Sequence, residues 1–183
     1  IYKDDCEYWT GIEIDPEIYL LNSFSKYFGM TGWRIGWMVV PTSAAEPLSR
    51  LAQNLFICPP TISQYAAMAA FETESLKIHE ERRLEFAKRR DFLAEGLKKL
   101  GFTIPVYPEG AFYIYADVSE MTDNSVKLCE AILTEAGVAL TPGTDFDPSR
   151  GHHYIRLSFA GTVLEIEKAM DALLHWYKTR KKL

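Results

Sequence analysis

The stretch NSFSKYFGMTGWRIGW, residues 22–37, places Lys26 directly after Ser25 and three residues after Ser23, with Arg34 eight residues further on. Three glycines and five aromatic residues surround them. The segment follows the apolar run 18–21, and a continuous apolar run of that length predicts a short buried strand of the kind found in parallel sheets. Five aromatic side chains are too many for a solvated loop. Residues 35–40 predict a second strand ended by Pro41, whose ring nitrogen cannot donate to a ladder.

Thr42 or Ser43 is expected to cap a helix reaching about Phe56, and Pro59-Pro60 breaks the chain after it. The Ala-rich segment 64–72 predicts a helix. Residues 75–100 predict a longer one, with Phe86, Leu93, Leu97 and Leu100 on one face and Gly101 as its stop. Beyond it the pattern changes to strands at 103–107 and 112–118, a helix at 125–136 stopped by Gly137, and strands at 138–141 and 153–159. A last helix begins at Thr162, whose hydroxyl can pair with Glu165 in a capping box. Val163, Ile166, Met170, Leu173, Leu174 and Tyr177 form its apolar stripe. Residues 101–183 thus read as a small α/β unit, joined by a long helix (75–100) to an N-terminal piece (1–74). Two apolar strands and a few helices cannot make a covered parallel sheet, so that piece reads as incomplete.

A chain of 183 residues suits one domain of ordinary size, for which folding removes roughly 70% of the accessible surface from water. Hydrophobic residues at 48% and charged residues at 25% match soluble globular averages. A net charge of -5 argues against a nucleic-acid surface, since the basic clusters Arg82-Arg83 and Lys88-Arg89-Arg90 are interleaved with Glu80, Glu81 and Glu85. Cys6, Cys58 and Cys129 are odd in number and widely spaced, which suits reduced thiols in a cytoplasmic protein better than a disulfide scaffold or a zinc site. His152-His153 has no ligand-spaced carboxylate or cysteine beside it, so no metal is expected. No run approaches the roughly 20 apolar residues of a membrane helix, and residues 1–5 lack the apolar centre of a signal peptide. The chain starts at Ile rather than Met, and a fragment is expected.

A lysine at a strand end, desolvated and surrounded by donors, is how a protein holds a carbonyl cofactor as a Schiff base: the amine must be neutral to attack, and burial favours that form. Pyridoxal phosphate also brings a phosphate, which needs hydroxyls, amides and a fixed cation; Ser23, Ser25 and Arg34 supply those types. On chemistry alone an ordinary surface loop remains an alternative. Neither a GxxxxGK phosphate loop nor a GxGxxG fingerprint is present, so nucleotide binding has no support.

The fourteen residues 23–36 resemble the cofactor-lysine signature of the class I aminotransferases, fold type I pyridoxal-phosphate enzymes, without a mismatch. The resemblance implies that Lys26 carries the cofactor and later moves the substrate Cα proton, and that Ser23, Ser25 and Arg34 hold the phosphate. It implies that the Tyr2 hydroxyl donates to the cofactor's phenolic oxygen, and that Arg156, in 154–159, grips the substrate α-carboxylate. Segments 108–113 and 141–146 also resemble small-domain segments of the family. The implied fold is the C-terminal part of the large cofactor domain, an incomplete mixed sheet, plus the small C-terminal α/β domain. The implied partners are an amino acid, a 2-oxo acid and a second copy in a homodimer.

The similarity covers about the C-terminal half of the family pattern. Absent are the glycine-containing phosphate turn, the asparagine at the phenolic oxygen and the aspartate that pairs with the pyridine nitrogen, so the 183-residue chain alone is expected to be weakly active or inactive. Two other readings stay open. One is a different reaction on the same cofactor, such as a C–S lyase or a decarboxylase; the other is the aminotransferase-like effector domain of a transcription regulator. Between Leu51 and Ser75 there is no Arg or Lys to hold a second substrate carboxylate.

Overall fold

The computed structural model describes residues 7–180. Its elements are α1 (Gly11–Ile14), β1 (Leu20–Ser23), β2 (Gly36–Val39), α2 (Thr42–Leu55), α3 (Thr61–Ala69), α4 (Thr73–Lys99), β3 (Tyr113–Asp117), α5 (Ser125–Ala136), β4 (Thr141–Pro142), β5 (Tyr154–Ser158) and α6 (Val163–Arg180). Backbone contacts divide the chain into two compact units between Arg83 and Leu84, inside α4.

In the N-terminal unit β1 and β2 pair antiparallel, from Leu20 opposite Val39 to Ser23 opposite Gly36. The close pairing at that last position needs glycine: a Cβ on Gly36 would lie 2.5 Å from the Asn22 carbonyl oxygen. The apolar run at residues 18–21 is therefore a strand, but one paired antiparallel with β2 and shifted two residues towards the lysine. All four β2 positions are exposed, and Leu21 is 74% exposed. A two-stranded ribbon has too few neighbours to cover its faces, which is why the apolar pattern and the observed burial disagree. The small core of this unit consists of Phe24, Met30, Ala67 and Ala70, with Phe28 and Ile35 packed on it. Phe24 is its centre, its ring 4.7 Å from Phe28, 5.0 Å from Trp37 and 5.6 Å from Phe71. α2 starts one residue after Pro41 with no side-chain cap, so neither Thr42 nor Ser43 plays the expected role.

The C-terminal unit has a three-stranded antiparallel sheet in the order β3-β5-β4. β3 and β4 both run against β5 and hence parallel to each other; α5 connects them across the central strand. Ile114 and Ala116 of β3 and Ile155 and Leu157 of β5 alternate into the core, where Leu93, Leu97, Ile132 and Phe159 meet them. α5 is capped at its start by the Asn124 side chain, which accepts from Lys127 N at 3.0 Å, and stopped by Gly137 in the left-handed region. The Thr162–Glu165 capping box forms: Glu165 N donates to Thr162 Oγ1 at 3.2 Å and Thr162 N to Glu165 Oε2 at 2.7 Å. α6 buries Ile166, Met170, Leu173 and Trp176, while Val163 and Leu174 of the expected stripe are exposed.

Two expected strands shrink. Residues 103–107 contribute a single bridge, Thr103 opposite Asp117. The chain beyond is held by Arg90 instead, whose Nη1 donates to the Pro108 carbonyl at 3.0 Å while its guanidinium lies 4.8 Å from the Tyr107 ring centroid. The strand expected at 138–141 is only the two-residue β4, Thr141 opposite Arg156 and Pro142 opposite Ile155.

Candidate functional site

The loop from Ser23 to Gly36 is built by its own backbone. Phe24 N donates to the Ile35 carbonyl at 3.2 Å and Met30 N to the Phe24 carbonyl at 3.1 Å, so both ends of the loop are tied across it. Phe24 and Met30 are buried, and the polar residues between them face outward. Gly29 N donates to the Lys26 carbonyl at 3.0 Å, closing a turn in which Gly29 has φ 67°, a conformation glycine adopts without a Cβ clash. Arg34 also lies in the left-handed region, at φ 49°. A non-glycine residue there costs about 1–2 kcal/mol, and such strain gathers where a side chain must be aimed.

The donors expected from the sequence are gathered in this one loop. Ser23 Oγ accepts from Ser25 N at 3.0 Å, Thr31 Oγ1 donates to the Ser25 carbonyl at 2.8 Å, and Arg34 Nη1 donates to the Thr31 carbonyl at 2.9 Å. An amine, two hydroxyls and a guanidinium are the donor set a phosphorylated pyridine aldehyde requires, and Gly32 leaves open space: a Cβ there would meet nothing within 4 Å. The residues of this chain fit such a group. One expectation fails: Lys26 is exposed rather than buried, because β1 and β2 alone provide no neighbouring strands to desolvate it. Tyr2 lies outside the described residues.

No local motif points to what anchors this loop. Tyr27 Oη donates to Glu80 Oε1 on α4 at 2.6 Å, and Arg83 Nε donates to Glu80 Oε2 at 2.7 Å. Burial, and then the bond to anionic Glu80, push the Tyr27 phenol up to about 12; the Tyr27 and Arg83 donors hold the Glu80 carboxyl below its ordinary value. His79, one residue before, is buried with its ring 5.4 Å from both Tyr27 and Phe28, and neither ring nitrogen has a hydrogen-bond partner among the described residues.

In the C-terminal unit Arg156 stands on the face of β5 opposite the core, between Tyr115 of β3 and Thr141 of β4 in register. Its Nη2 donates to Thr141 Oγ1 at 3.4 Å, and its guanidinium lies 4.7 Å from the Phe146 ring centroid and 5.4 Å from that of Tyr113. No carboxylate pairs with it among the described residues. Both rings belong to the segments 108–113 and 141–146 singled out above; their meeting at Arg156 is set by strand register. Among the described residues no group of three or more His, Cys, Asp or Glu could hold a metal, and no helix is long and apolar enough to cross a membrane.

The family model for aminotransferase class I and II matches residues 2–173. Valine--pyruvate aminotransferase of Mycobacterium tuberculosis is 43% identical over 157 residues, 86% of this chain and 40% of that protein. An aspartate aminotransferase of Pyrococcus abyssi is 35% identical over 93% of this chain and 44% of its own length. Among solved structures, an aminotransferase from Mycobacterium tuberculosis superposes with a TM-score of 0.93 at 38% identity, covering 98% of this chain and 46% of that one. The aromatic aminotransferase of Pyrococcus horikoshii gives 0.85 at 34% identity, with 98% and 49% covered. The chain therefore belongs to the class I and II aminotransferase family, whose members use pyridoxal phosphate. It spans less than half the length of these relatives.

Proposed function

We propose that the whole protein is a pyridoxal-phosphate-dependent aminotransferase that moves an amino group between an amino acid and a 2-oxo acid, working as a cytoplasmic homodimer. In this reading residues 1–74 are the C-terminal part of the large cofactor domain, 75–100 the interdomain helix and 101–183 the small domain. The observation that carries it is the lysine loop: Ser23, Ser25, Lys26 and Arg34 come from one connection between two paired strands, tied by its own hydrogen bonds.

Lys26 would hold the cofactor through its side-chain amine. When bound, the cofactor supplies an electron sink for the pair left at the substrate Cα. Ser23 and Ser25 would give hydroxyl hydrogen bonds to its phosphate and Arg34 would supply the fixed positive charge. The Tyr2 hydroxyl would donate to the cofactor's phenolic oxygen. Arg156 would orient the amino acid by giving two parallel N–H bonds to the α-carboxylate, and the Lys26 amine, once the incoming substrate amine has displaced it, would take the Cα proton. In the whole protein, Lys26→Ala should abolish both the absorbance of the lysine-bound cofactor and turnover; undiminished turnover sinks the assignment. With a panel of amino acids and an added 2-oxo acid, a new amino acid is the expected product. Ammonia and pyruvate would assign a lyase instead. The 183-residue chain mixed with pyridoxal phosphate should form little or no 2-oxo acid.

A further inference from the structure

Phe146 is 50% exposed, so core burial does not hold it over Arg156. The loop does. Phe146 N donates to the Gly143 carbonyl at 2.9 Å, and its ring meets Tyr115 edge-on, 6.4 Å away at 85°. Gly143 lies against Gly151 and Tyr154 so closely that a Cβ on it would come within 2.6 Å of both carbonyl oxygens and of Tyr115 Oη. Just after Phe146, Asp147 closes the loop by accepting from Arg150 N at 3.0 Å, Ser149 N at 2.9 Å and Ser149 Oγ at 2.8 Å. A rigid loop thus keeps an exposed ring against a guanidinium that has one long side-chain bond and no carboxylate partner among the described residues.

A ring against a guanidinium attracts its charge without using its N–H groups, which stay available to a planar carboxylate. Arginine is rich in rotamers, and ordering it on binding weakens affinity; a guanidinium already stacked loses less. We propose that Phe146, with Tyr113 as the second ring, is a positioning residue that presents Arg156 to the substrate α-carboxylate. The proposal rests on the assignment of Arg156 to that carboxylate. It adds a determinant from the loop after β4, and it makes the preference for amino acids over simple amines a property of the Arg156–Phe146 pair.

The test uses the whole protein with cofactor, the amino acid turned over best in a panel of the twenty, and the amine left when that amino acid loses its carboxylate. Phe146→Ala should raise KM and lower kcat/KM for the amino acid by roughly threefold to tenfold, the worth of one cation–aromatic contact. Turnover of the amine should not change, and Phe146→Tyr should restore the amino acid value. Independently of activity, phenylglyoxal should modify Arg156 several-fold faster in Phe146→Ala than in the wild type or Phe146→Tyr, read by peptide mass spectrometry. An equal loss on amine and amino acid, or an unchanged labelling rate, overturns the proposal. Arg156→Gln separates the two levels. If it leaves the amino acid preference intact, the underlying assignment fails and the proposal with it; if it abolishes the preference while Phe146→Ala does not alter it, only the role of Phe146 fails.

Discussion

Replacing Tyr27 with Phe removes one hydroxyl and leaves a ring that keeps its edge-on contact with Phe28, 5.1 Å away at 86°. The hydroxyl makes a 2.6 Å bond to a carboxylate that Arg83 also holds. A hydrogen bond to a charged group contributes about 1.5–3 kcal/mol when sheltered. Tyr27 is 43% exposed and the Glu80 side chain 48%, so water replaces much of the lost bond and about 1 kcal/mol is expected. In urea that corresponds to a midpoint shift of about 0.5–1 M for a unit of this size. Tryptophan fluorescence is a suitable probe, because Trp9, Trp33 and Trp37 belong to the N-terminal unit and only Trp176 to the other. The pH dependence tests the cause. Glu80 has a lowered folded value, so its contribution is present above the unfolded value of about 4.3 and lost as pH falls through the folded one. Tyr27 has a raised folded value, so its contribution is present below the unfolded value of about 10 and lost as pH rises through about 12. The penalty of Tyr27→Phe should therefore be constant between about pH 5 and 9 and shrink below about pH 4. A penalty equally large at pH 3 and pH 7, or none at pH 7, refutes an ionic tether between the lysine loop and α4.

Gly151→Ala should destabilise the C-terminal unit by about 1–3 kcal/mol or more in thermal unfolding, because the added Cβ falls on the Gly143 carbonyl and the Thr144 amide, both backbone. Gly32→Ala, with open space at the Cβ position, serves as the contrast and should change the melting temperature little. Thr162→Ala removes the hydroxyl that accepts from Glu165 N and should cost about 1 kcal/mol, measured as a shift in denaturant midpoint.

The features legible in the sequence are those whose cause lies within a few residues. Gly137 after the last turn of α5, Gly101 after α4 and the Thr162–Glu165 box each satisfy helix ends locally, and each is found where the spacing put it. The loop of Ser23, Ser25, Lys26 and Arg34 was legible for the same reason, since twelve consecutive residues hold all four side chains. Burial was less legible. The apolar runs around β1 and β2 read as covered strands, yet covering depends on neighbours that a two-stranded ribbon does not have, and Lys26 is exposed with them.

By itself, then, the sequence determined the family and the chemical inventory of the lysine loop, because a contiguous motif carries both. Only tertiary structure decided what steadies those groups. Tyr27 meets Glu80 across 53 residues, and Arg156 meets Thr141 across 15. Phe146 reaches Arg156 because β4 pairs with β5 and the glycine contact at Gly143 and Gly151 turns the loop back over the sheet. Such pairs follow from register and close backbone approach, which no local spacing encodes.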